Sequence, residues 1–153
     1  MSETIKIIPL TTPVADERMQ KVEITIPRSD LPKLYAFMAS DTWEKAEAVR
    51  QADLTKCLKS IEIALTIATK HYGTSGGRTF ATLLASMYNG NRVKFDVSDL
   101  KYLDRANFEH ALNSMRLCQE LNREPHSFFE NGGELFEKMI SDWGLEKKKR
   151  RAA

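Results

Sequence analysis

The 153-residue chain has no run of 18 apolar residues, so no stretch suits a membrane-spanning helix. It has no basic start followed by a continuous apolar stretch, and no signal peptide is expected. Seven glycines and five prolines are too few for a collagen-like or linker-dominated chain. The only cysteines, Cys57 and Cys118, lie far apart and form no Cys-x-x-Cys pair. The three histidines, His71, His110 and His126, are equally scattered, whereas zinc motifs place their ligands in close pairs. Both cysteines are therefore read as reduced core residues of a cytoplasmic protein, and neither a metal nor a cofactor is expected.

A dominant charge is also missing from the body. Lys and Arg number 23 against 21 Asp and Glu, a net +2. Five of the cations are consecutive, at 147–151, and removing them leaves 18 against 21, a net of −3. A mildly acidic body argues against a broad non-specific nucleic-acid surface, which needs clustered Lys and Arg to displace counterions. The basic tail at 146–153 reads as a solvated terminus that can hold an acidic partner loosely.

What is present is helical periodicity. Apolar residues make up 42% of the chain, enough for one domain that folds without disulfide or metal. The expected class is mainly α: a single compact helical domain of six or seven helices over 28–145, with a minor β element from an N-terminal arm at 1–27. In that arm, Ile5 to Ile8 and Val22 to Ile26 are short β-branched runs, the second alternating as a half-buried strand does. A short helix then carries Leu31, Leu34, Tyr35 and Met38. The longest periodic stretch, 43–72, is expected to be the central post, with a break likeliest at Gln51, Ala52 and Asp53. Helices follow at 78–88, 105–121 and 134–143, with short ones opening near Ser98 and Pro125 and a short strand at 93–96.

Three local features are candidates for binding. Gly73, Thr74, Ser75, Gly76, Gly77 and Arg78 precede a helix, whose first N–H groups lack internal partners and carry partial positive charge. A phosphate or carboxylate can sit on such a turn, with Arg78 adding a fork of donors. The same letters also describe a plain inter-helix connection capped by Thr74 or Ser75. Residues 98–121 have the outline of a helix-turn-helix, with Arg105, Glu109, His110, Asn113 and Arg116 facing outward on the second helix. Arg105, His110, Asn113 and Arg116 are its candidate nucleic-acid contacts. Two packed helices of an ordinary α-domain fit the pattern better. Phe128, Phe129 and Trp143 are either core or a partly exposed patch for a partner. No nucleophile elbow, paired-carboxylate motif or metal motif supports catalysis, so no catalytic residue is assigned and the protein is expected not to be an enzyme.

The segments Gly73 to Arg78, Ser86-Met-Tyr-Asn-Gly90, and Phe129 to Phe136 with Asp142-Trp-Gly144 resemble a family of small bacterial proteins of unknown function. The resemblance covers about 73–145. It implies a bacterial, cytoplasmic, accessory setting tied to plasmids, phages and integrative elements, and supplies no activity or cofactor. The favoured expectation is a non-enzymatic protein that binds a protein partner or its own copy. The alternatives are a DNA-binding regulator using the 98–121 segment and a domain that captures an anionic ligand at 73–78. No membrane partner is expected.

Overall fold

A computed structural model describes residues 27–146, with the side chain of Trp43 left aside. The strands expected within 1–26 and the basic run at 147–151 lie outside the described residues. Among those described there is no strand: five α-helices and three short 3-10 helices make up the fold. The mainly α class is as expected. The strand anticipated at 93–96 is instead irregular chain, because the Asn89 side chain and carbonyl gather the N–H groups of Asn91, Arg92 and Val93 into a turn. Residues 27–55 and 56–146 belong to different compact units.

In the first unit, a 3-10 helix at Arg28–Asp30 runs into α1, Leu31–Ala39, with Pro32 in its first turn. Pro32 is tolerated there because the first turn's N–H groups have no helical acceptor. Ser40 ends α1, its N–H and hydroxyl both donating to the Phe37 carbonyl. Tyr35, Phe37 and Met38 are largely exposed on α1. The next helix, α2, runs Thr42–Lys70 without interruption, continuous through Gln51, Ala52 and Asp53, where a break was likeliest. The sequence has neither glycine nor proline there. Gln51 bonds back to Glu47 at 2.7 Å, and the Thr55 hydroxyl back to the Gln51 carbonyl at 2.8 Å, so the side chains follow the helical register.

In the second unit, the 56–70 portion of α2 buries Cys57, Leu58, Ile61, Ala64, Leu65 and Ala68. Spacings of three and four put these on one stripe. Helix α3, Ser75–Tyr88, buries Phe80, Ala81, Leu83, Leu84 and Ala85, more than one face of a helix can hold. It packs accordingly on α4, Arg105–Leu121, on α5, Gly132–Trp143, and on the 3-10 helices Val97–Tyr102 and Pro125–Phe128. The helix ends follow their sequence signals. Asp104 caps α4 through the Asn107 N–H at 2.8 Å. Gly144, at φ +58°, closes α5.

Both α3 and α5 start earlier than their apolar periodicity suggests, because glycines occupy their first turns. A Cβ on Gly77 would stand 2.4 Å from the His71 carbonyl oxygen, and one on Gly132 would stand 1.9 Å from that of His126. Each glycine lets a helix start cross directly over preceding backbone. The indole N–H of Trp143 donates to the Ala68 carbonyl at 2.7 Å, tying α5 to the end of α2.

Candidate functional site

The sequence candidates fare differently in three dimensions. Phe128, Phe129 and Trp143 are buried, with Phe129 against Phe136 and Trp143 against the Tyr72 ring. They form no exposed patch. Their apolar rings fill the space where α5 meets its neighbours, and the one polar handle, the Trp143 N–H, is already bonded.

At the glycine-rich turn, Ser75, Gly76, Gly77 and Arg78 are the first turn of α3 rather than a loop before it. Thr74 is the cap: its hydroxyl oxygen accepts the Gly77 N–H at 3.0 Å, and its carbonyl accepts the Arg78 N–H. Of the N–H groups at this helix start, those of Gly77 and of Thr74 itself, which donates to the His71 carbonyl at 3.3 Å, thus have partners. Arg78 is exposed.

The helix-turn-helix reading requires correction. Its first element is a six-residue 3-10 helix, Val97–Tyr102, capped by Asp96 rather than by Ser98. On α4, Asn113 faces inward with 5% of its surface exposed, and His110 is half-buried. Arg105, His110 and Asn113 face α2, while Arg116 is exposed outside that group. The four therefore present no single outward face to a major groove. Sequence reasoning placed Asn113 outside because it is polar, but Ser60 supplies a buried partner that makes the inward position tolerable.

What α2 and α4 build together is a groove of about 450 Å³. Its sides are Lys56 and Lys59 from α2 and Arg105, Ala106 and Glu109 from α4; its floor is Ser60, His110 and Asn113. Asn113 Nδ2 donates to Ser60 Oγ at 3.1 Å, and His110 Nδ1 lies 3.1 Å from the same oxygen. Ser114, one turn beyond His110, returns its hydroxyl to the His110 carbonyl at 2.7 Å. The floor is thus a small polar network held between two helices. Three cations surround it against one carboxylate, Glu109. Lys59 pairs with Glu62 at 2.7 Å on the same helix, an exposed pair that binds weakly. Lys56 and Arg105 have no ion-pair partner among the described residues.

The Ser60–His110 contact is not built for nucleophilic attack. Ser60 is only 2% exposed and lies inside α2, where backbone N–H groups are committed to the helix and offer no oxyanion hole. Its oxygen is also an acceptor for Asn113. The arrangement suits holding an imidazole and an amide in fixed orientation. Among the described residues no group of three or more His, Cys, Asp or Glu is placed to hold a metal, and no helix is long and apolar enough to cross a membrane.

Of the groove residues, sequence reasoning picked Arg105, His110 and Asn113 for another purpose and passed over Lys56, Lys59, Ser60 and Glu109 as site residues. One signal was available: Ser60 is a polar letter beside an otherwise apolar stripe on α2.

Fold and site together define a small helical domain with a basic-rimmed, polar-floored groove. The chain belongs to a family of unknown function (DUF7673), whose pattern matches residues 58–144. The match begins earlier than the motifs at 73–145 suggest and takes in Ser60, Arg105, Glu109, His110 and Asn113. No curated protein and no solved structure matches the chain significantly.

Proposed function

We propose that the protein is a non-enzymatic binding protein whose α2–α4 groove captures an anionic group. The observation that carries this is the unpaired cationic charge of Lys56 and Arg105 beside a buried polar floor. An anion there gains from both cations at once, and the low-dielectric floor strengthens the attraction relative to open water. The earlier anion candidate at 73–78 is superseded in this reading, because its capping groups are occupied.

Thermal unfolding with inorganic phosphate tests it. Phosphate at ten times its Kd adds about 1.4 kcal/mol, a rise in Tm of roughly 3–5 °C for a chain this size. Arg105→Ala should remove most of that rise, and Arg78→Ala should leave it. No rise in the wild type, or a rise lost only with Arg78→Ala, overturns the reading.

A second reading, contact with a protein partner or a second copy, is favoured by exposed Tyr35, Phe37 and Met38 within four positions of α1. Sedimentation of wild type against Phe37→Ser tests it, with a mass above the monomer expected for the wild type alone when the occupant is a second copy. An accessory role in the cytoplasm of a bacterium, on a mobile element, belongs to the same proposal, and the neighbouring genes test it.

A further inference from the structure

The groove has more to it than a bare anion uses. Its volume, about 450 Å³, exceeds what a lone phosphate needs, and falls in the range of sites for small organic ligands. Asn113 is nineteen-twentieths buried and spends an amide N–H on Ser60, yet its Oδ1 accepts no hydrogen bond among the described residues. That oxygen is not among the sealed side-chain atoms of the described residues that lack a hydrogen-bond partner. Asn113 lines the groove, so its free carbonyl oxygen opens onto it. An amide acceptor fixed at the floor of a groove is met by water when the groove is empty, and a ligand hydroxyl that replaces that water keeps the hydrogen bond.

The remaining walls narrow the class of ligand. Glu109 repels a second anionic group, which disfavours a polyphosphate or a nucleic-acid backbone, but its carboxylate accepts hydroxyl groups well. No Phe, Tyr, Trp, Leu, Ile, Val or Met lines the groove, and its apolar surface comes from Ala106 and the carbon stems of its longer side chains. A nucleobase is ordinarily held by aromatic or large aliphatic side chains, through stacking or apolar burial. A ligand covered with hydroxyls needs none.

We propose that the groove binds a phosphorylated polyol, a sugar phosphate, with its phosphoryl group against Lys56, Lys59 and Arg105 and its hydroxyls on Asn113 Oδ1, Glu109 and His110. This rests on the anion-binding reading and adds the identity of the rest of the ligand. One phosphoryl group satisfies the cations, while the acceptors of the floor and wall take hydroxyl protons that inorganic phosphate cannot place there.

Titration calorimetry of the full chain with inorganic phosphate, glucose 6-phosphate, glucose and adenosine monophosphate tests it. Glucose 6-phosphate is expected to bind at least about tenfold more tightly than inorganic phosphate or adenosine monophosphate, roughly one net hydrogen bond's worth. Glucose alone should bind too weakly to measure. Glu109→Ala, a change at an exposed position, should bring glucose 6-phosphate down towards the affinity of phosphate, with an unchanged circular dichroism spectrum. Equal affinity for glucose 6-phosphate and phosphate leaves the anion site standing and overturns the polyol. Tighter binding of adenosine monophosphate overturns the polyol in favour of a nucleotide. Heat from none of the four overturns both.

Discussion

Ser60 on α2 and His110 on α4, fifty positions apart in the chain, meet with Nδ1 and Oγ 3.1 Å apart. The Asn113 amide, one turn on from His110, donates to the same oxygen, so a single hydroxyl fixes two side chains of the facing helix. Removing that oxygen leaves a buried donor unmet, and the cost exceeds that of an ordinary surface hydrogen bond.

Ser60→Ala is therefore expected to lower stability by about 1–2 kcal/mol, read as a fall in the urea midpoint with an unchanged slope. It should also loosen His110 and weaken any groove ligand. A midpoint equal to wild type would mean the network contributes nothing to the packing of α2 on α4.

Gly77→Ala places a Cβ 2.4 Å from the His71 carbonyl oxygen and 2.9 Å from Thr74 Oγ1, so backbone must move. A loss of about 1–3 kcal/mol is expected, in the range of overpacked sites. Gly133→Ala is the control, since nothing lies within 4 Å of its Cβ and the change raises helix propensity. Urea unfolding should separate the two clearly. Equal midpoints would contradict the close approach at Gly77.

Trp143→Phe keeps a ring beside Tyr72 but deletes the donor to the Ala68 carbonyl. The expected loss is about 1–2 kcal/mol. Amide exchange should quicken at the end of α2 and in α5 before it does in α3, because the lost bond joins the first two.

Burial pushes the Cys118 thiol up to about 11, from an ordinary value near 9. The folded chain then holds its proton more tightly than the unfolded chain does. Below pH 9 both states keep the proton and the contribution to stability is complete. Between about pH 9 and 11 the unfolded state loses it first, and stability declines as pH rises. The measurement is urea midpoints at pH 8 and 10.5 for wild type and Cys118→Ala, with a shallower decline expected in the variant. Native Cys118 should also alkylate slowly at pH 8.

The helical class was legible because apolar letters recur every three to four positions from Leu54 to Trp143 and the caps Thr74 and Asp104 stand where helices need them. The first turns of α3 and α5 were not, since Gly77 and Gly132 read locally as breakers. Only the crossing of distant backbone, at His71 and His126, explains them. The groove was legible in pieces. Arg105, His110 and Asn113 were noticed as polar letters on one helix, but a sequence does not say which polar letters meet across fifty positions. Ser60 gives Asn113 its inward place, and nothing near either residue announces the other.

Phosphate titration followed residue by residue in the amide spectrum of the full chain tests the groove most directly. The account predicts shifts concentrated at 56–60 and 105–113, fading as salt rises and absent at 74–78. Shifts gathered at 74–78, or spread evenly over exposed lysines, would contradict it.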